Sequence, residues 1–117
     1  ALYSLLVEQS PECVCIYQDE RYAYINPAGA RITADGTPPA DVVGRGWMDF
    51  THPDDREAAT AIFREVLAAP PGTTRRFERR LVWPSGRVVE TEGLLTAVRY
   101  RGRPAVHAFS RDVTAQR

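Results

Sequence analysis

The chain has 117 residues, 26% of them charged and 44% hydrophobic, with fifteen basic and fifteen acidic side chains and no net charge. That length accommodates one domain with one core, since a globule of this size buries about two-thirds of its unfolded surface. No apolar run reaches the roughly 18 residues of a membrane span, Ala1 to Val7 lacks the basic flank of a signal peptide, and a neutral balance gives no basis for non-specific nucleic-acid binding.

Charge is segregated along the chain. Residues 1–60 hold ten acids and four arginines, and residues 61–117 hold eleven arginines and five acids, so the halves carry −6 and +6. Such a division can steer a partner or orient a dimer, but exposed charges are screened and two solvated faces are the simpler expectation. A start at Ala1 without methionine and a stop at Arg117, just past a possible helix cap, suggest a piece of a longer polypeptide.

In chain order, Leu2 to Val7 suits a short amphipathic helix over residues 1–9, broken by Ser10-Pro11. Cys13-Val14-Cys15-Ile16-Tyr17 alternates as a first strand, with Cys13, Cys15 and Tyr17 on one face. Positions two apart on a strand are about 6.5 to 7 Å from each other, at or beyond disulfide geometry, so reduced thiols in a cytosolic protein are expected. Small buried side chains are a better reading of this pair than a metal site, which would need further cysteine or histidine ligands.

Gln18-Asp19-Glu20 turns the chain into a second strand, Tyr22 to Ile25, forming a hairpin. Asn26-Pro27 then joins a good N-cap to a good first helical residue, starting a short helix through Ala28, Ala30 and Ile32. After Asp35-Gly36-Thr37-Pro38-Pro39, residues 39–44 make one more helical turn. Pro53 followed by Asp54 and Asp55 opens a longer helix to about Ala69, with Ala58, Ile62, Val66 and Ala69 as its apolar stripe, widened by Phe63 and Leu67. Three strands complete the chain: Thr74 to Val82, Arg87 to Tyr100 and Pro104 to Asp112, with turns at Trp83-Pro84-Ser85-Gly86 and Arg101-Gly102-Arg103. Antiparallel strands with helices segregated between them make an α+β domain with one covered sheet face.

Several groups of residues invite a functional reading. Glu90 and Glu92 share a strand face, but no nucleophile or phosphate loop accompanies them, and pairing with Arg75, Arg76, Arg79 and Arg80 across the sheet is the expectation. An acidic ligand for these arginines is the minority alternative. Trp83 is either an exposed anchor for a partner or a flap over a sheet edge. No catalytic constellation stands out.

The segment Tyr22-Ala23-Tyr24-Ile25-Asn26-Pro27-Ala28, the helix start His52-Pro53-Asp54-Asp55-Arg56, the Phe77-Glu78-Arg79-Arg80 to Ser85-Gly86 hairpin and the closing Phe109-Ser110-Arg111-Asp112-Val113-Thr114 together resemble the PAS family over residues 10–114. The resemblance implies a five-stranded antiparallel sheet in the order 2-1-5-4-3, with helices across one face enclosing a pocket. It also implies a sensory or interaction module of a bacterial signalling protein, whose C-terminal signalling helix starts at residues 115–117. On that resemblance, combined with strand alternation, the ligand-facing positions are Cys13, Cys15, Tyr17, Ala23, Ile25, Gly29, Thr33, Val106, Ala108 and Ser110, with Cys15, Ile25, Gly29, Thr33, Ala108 and Ser110 the selected set. Asp112 and Thr114 hold the signal-relay positions.

No cofactor is assigned. The flavin-reactive cysteine of light-sensing relatives is missing from Gly44-Arg45-Gly46-Trp47-Met48, and the long helix has no histidine after His52 to ligate haem. His52 is expected to cap or to be exposed, and His107 to face away from the pocket. The expected ligand is a small uncharged or weakly polar molecule, the expected assembly a homodimer with no membrane contact, and the expected output domain a histidine kinase. A diguanylate cyclase or a helix-turn-helix regulator is the alternative output, and a ligand-free dimerisation or docking module, its cavity filled by Tyr17, Phe63 and Phe77, is the rival reading.

Overall fold

The computed structural model describes residues 2–116, and the expectations placed on Ala1 and Arg117 lie outside them. Helix α1 (Leu2–Gln9) precedes the hairpin β1 (Cys13–Gln18) and β2 (Arg21–Ile25). Helices α2 (Pro27–Ala34), α3 (Pro39–Val42) and α4 (Arg56–Leu67) follow, and β3 (Thr74–Val82), β4 (Val88–Tyr100) and β5 (Arg103–Asp112) complete the sheet. The strands form one antiparallel sheet in the order β2-β1-β5-β4-β3, which places β5 at its centre.

Two tight hairpins set the register. Asp19 and Glu20, at φ 56° and 61°, turn β1 into β2, and Arg101 and Gly102, at φ 53° and 78°, turn β4 into β5. Positive φ at both turn residues gives a twist that matches the strands, and glycine takes it without strain. The first turn is anchored from outside itself, because Asp19 pairs with Arg103 and Glu20 with Arg64.

Both sheet edges are covered in part. Backbone bonds from Tyr22 to Arg45 and from Gly44 to Tyr22 lay residues 44–47 along β2, while His52 to Arg80 and Val82 to Phe50 lay residues 50–52 along β3. An edge whose amides are used in this way offers no template for another strand.

The core lies between the sheet and α2 to α4. It is built from Cys13, Cys15, Tyr17, Tyr22, Ile25, Trp47, Phe63, Val66, Phe77, Leu95, Val106 and Ala108. Two expectations are corrected here. A bulge between Ile16 and Tyr17 pairs Tyr17 with Tyr22 and Ile16 with Tyr24, so Tyr22 faces the core and Ala23, expected inside, is the residue skipped. On α4 the buried stripe is Ala59, Phe63 and Val66, with Ala58 exposed. Phe63 is the largest apolar side chain on the helix and sets the centre of the stripe, while the single methyl of Ala58 loses little in water.

Candidate functional site

The selected positions converge on the helix-covered face. Cys15 lies opposite Ile25 on one side and Ala108 on the other, and Cys13 lies opposite Ser110. From α2, Thr33 brings its hydroxyl to 3.9 Å from the Cys13 sulfur. Gly29 is closer still, since a Cβ there would stand 2.7 Å from Ile25 and 3.1 Å from Cys13 Sγ. All six are buried: Cys15, Ile25, Gly29, Thr33, Ala108 and Ser110. Asn26 holds this wall together, its Oδ1 accepting from Gly29 N at 2.8 Å and Val14 N at 3.0 Å.

The two cysteines are free, and their sulfurs lean to 3.4 Å from each other. A hydrogen bond from Cys15, helped by the hydroxyls of Ser110 and Thr33, brings the Cys13 thiol down to about 7. Burial pushes Cys15 the other way.

The centre of the interior is polar. Arg79, expected to pair across the sheet with Glu90 and Glu92, instead points inward and is 6% exposed. Its Nη1 donates to the Trp47 carbonyl at 3.1 Å and to Thr51 Oγ1 at 2.8 Å, and its Nη2 donates to Tyr17 Oη at 2.7 Å and to Tyr22 Oη at 3.5 Å. The guanidinium carbon lies 5.1 Å from the Phe63 ring centre, 5.8 Å from that of Tyr17 and 6.0 Å from that of Phe77. Burial pushes the Tyr17 hydroxyl far up and the Tyr22 hydroxyl to about 12, so both stay protonated donors and acceptors. The sequence carried a signal for this placement, because Arg79 shares strand parity with Phe77 and Leu81.

Two other arginines of β3 find acids elsewhere. Arg80 takes Asp55 in a two-armed pair, with Nη2 to Oδ1 at 2.8 Å and Nε to Oδ2 at 3.1 Å, and Arg75 pairs with Glu65. Glu92 pairs with Arg111 on β5. Trp83 is a flap, its indole donating to the Ile32 carbonyl at 2.8 Å, and His52 is a cap, its Nδ1 accepting from Asp54 N. His107 lies opposite Ile16 on the outer face, lining with Leu6, Val7, Val14 and Phe109 a cleft of about 230 Å³ beneath α1.

At the chain's end Asp112 and Thr114, expected as relay positions, form a compact lock. Asp112 Oδ1 accepts from both the amide and the hydroxyl of Thr114, at 2.9 and 2.6 Å. Thr114 Oγ1 accepts from Glu90 N at 2.9 Å, and buried Val113 donates its amide to Glu90 O at 2.8 Å. The last residues of β5 are thereby tied to β4 before a single 3₁₀ turn at Thr114–Gln116. Among the described residues no three His, Cys, Asp or Glu side chains are grouped to hold a metal, and no helix is long and apolar enough to cross a membrane.

A sheet ordered 2-1-5-4-3, three helices folded over one face and a strand leading from the interior to the terminus define the PAS class of α+β domain. The chain belongs to that family: the family model described as PAS fold matches residues 7–117. No curated protein matches. Among solved structures it is similar to the PAS domain of an HTR-like protein from Haloarcula marismortui, at 20% identity and TM-score 0.75 over 95% of this chain and 94% of that one. It is also similar to a PAS domain from Colwellia psychrerythraea, at 12% identity and TM-score 0.82 over 97% and 96%. A third is a domain of a sensory box sensor histidine kinase/response regulator from Geobacter sulfurreducens, at 21% identity and TM-score 0.73 over 95% and 91%.

Proposed function

We propose that this domain is a cytoplasmic sensor that binds a small molecule between its sheet and helices and passes the change to an output domain. A histidine kinase is the first candidate for that output, and a diguanylate cyclase or helix-turn-helix regulator the alternative. The observation that carries the reading is the course of β5. This central strand presents Ala108 and Ser110 to the interior and two residues later enters the lock of Asp112 and Thr114. A displacement of β5 therefore acts directly on the group that holds the start of the following segment. A ligand drives such a displacement only by binding two arrangements of the strand unequally. Further support comes from the company of the fold, which includes a PAS domain of a two-component sensor histidine kinase and one from a LuxR-family regulator of Burkholderia thailandensis, the latter solved in complex with ethanol.

Native mass spectrometry of the freshly purified domain, recorded with its absorption spectrum, tests the reading. A reproducible added mass at one ligand per chain is expected. A chain that carries no added mass and whose melting temperature no small molecule raises would sink the sensor reading.

One observation favours a second reading. Tyr17, Phe63 and Phe77 fill the interior around Arg79, while Leu2, Leu5 and Leu6 of α1 are exposed. A ligand-free module that dimerises or docks through α1 has this distribution.

A further inference from the structure

Among the described residues, no carboxylate pairs with the buried guanidinium of Arg79. Each acceptor around Arg79 is neutral: one carbonyl and three hydroxyls, one of them at the weak distance of 3.5 Å. Its Nε–H is buried with no acceptor at all. The nearby arginines Arg64, Arg75 and Arg80 have taken Glu20, Glu65 and Asp55. A buried cation left without a counter-charge costs more than an apolar side chain of similar volume, so stability alone does not account for arginine at this position. The titratable groups packed about it are Tyr17, Tyr22, Cys13 and Cys15. Burial keeps both phenols and the Cys15 thiol neutral at ordinary pH, so of these four groups Cys13 is the one able to become an anion.

We propose that Arg79 is the receptor for a small organic monoanion, a short-chain or aromatic carboxylate, which accepts from Nε–H and replaces the long Tyr22 contact at Nη2. The proposal rests on the sensor reading and sets its ligand class, in place of the uncharged molecule expected from sequence. A planar carboxylate matches two adjacent donors of a guanidinium edge, which a single neutral acceptor does not. The rings of Phe63, Phe77 and Tyr17 around the charge suit the apolar remainder of such a molecule. Arg79 also forms part of the wall of a cleft of about 280 Å³ between α4 and the β3–β4 pair, with Ala59, Ile62 and Thr91. Asp55, Glu78 and Glu90 border the same cleft, and Asp55 is already neutralised by Arg80. Arg80 lines the cleft as well with its charge engaged by Asp55, and the remaining acids repel an anion of higher charge more strongly than a monoanion.

The test is a titration of the ¹⁵N-labelled domain with butyrate and benzoate against butyramide and benzamide. It is run at constant ionic strength and below the Cys13 transition, following the Arg79 Nε–H resonance and the melting temperature. The carboxylates are expected to move that resonance saturably and to raise the melting temperature, binding about tenfold or more tightly than the amides, as a hydrogen bond to a charged group implies. Arg79→Met should abolish the preference. Should that variant fail to fold, Tyr22→Phe keeps the guanidinium and removes the displaced acceptor, and it should bind the carboxylates at least as well as the parent. Equal saturable binding of acids and amides would overturn the anion site and leave the sensor reading standing. Absence of any saturable carboxylate response would overturn the anion site alone, since the sensor reading is decided by the mass of what the domain carries.

Discussion

At the scale of single residues, strand β1 gives two identical side chains opposite acid–base behaviour. Cys13 receives the Cys15 hydrogen bond and two hydroxyls, while Cys15 is enclosed at 0% exposure. In the unfolded chain Cys13 keeps its proton to about pH 9.0, whereas in the folded domain it releases it near 7. A folded-state value below the unfolded one adds stability as pH rises through that window, and the gain is lost as pH falls through 7. Tyr22 has the opposite sign: burial holds its proton to about 12 against 10.0 when unfolded, so stability declines once pH passes 10. The urea midpoint should therefore climb from pH 7 to 9 and fall above 10. The climb, but not the fall, should vanish in Cys13→Ser. A Cys13→Ser domain that still gains stability over that interval would show that the thiol keeps its ordinary value.

Among the elements, the start of α2 depends on one side chain that reaches in four directions. Asn26 Oδ1 accepts from Gly29 and Val14, and its Nδ2 donates to the carbonyls of Val7 at 2.9 Å and Glu12 at 3.0 Å. It thus fastens α1, β1 and α2 to one buried point. Asn26→Ala should cost about 3 kcal/mol in urea unfolding, a lost cap together with buried groups left unpaired. A loss within that of a surface substitution, roughly 0.5 kcal/mol, would mean that water replaces those bonds. Half of this arrangement was legible beforehand: Asn26-Pro27 announces a helix start, because capping is local chemistry. The bonds to Val7 and Glu12 were not, since nothing in a sequence marks which distant carbonyls a side-chain amide will meet. The same division runs through the fold. Hairpins and helix limits, which depend on turn residues and prolines, were readable to within about three residues, the widest gap being the 3₁₀ turn Pro53–Asp55 that precedes α4. The bulge between Ile16 and Tyr17 was not, because an extra unpaired residue on one strand leaves no mark in the alternation, and it reversed the places of Ala23 and Tyr22. Arg79 shares the inward parity of Phe77 and Leu81, whereas its charge points to the surface, and the two local signals conflict at this one position.

For the molecule as a whole, three ion pairs between the two halves offset part of the division of charge along the chain. Asp19, Glu20 and Asp55 from the acidic half pair with Arg103, Arg64 and Arg80 from the basic half, at 2.9, 3.1 and 2.8 Å. What stays unbalanced is apolar surface on the side of the sheet away from α2 to α4. Leu94 and Phe109 are exposed on its strands, and Leu2, Leu5 and Leu6 on α1, with Leu5 at 53% and Leu6 at 58%. Exposed apolar side chains gathered on one side favour burial against a second surface, and a copy of the same chain presents that surface by symmetry. A homodimer through α1 and the outer sheet is the expected assembly, and the Asp112–Thr114 lock then lies at the end of the same central strand that carries Phe109. Sedimentation equilibrium at micromolar concentration should find a dimer. Leu5→Glu, by burying an acid in that contact, should weaken it about tenfold or more while the far-ultraviolet dichroism is unchanged. A Leu5→Glu domain that sediments like the parent would place the contact elsewhere and leave the exposed leucines for another segment.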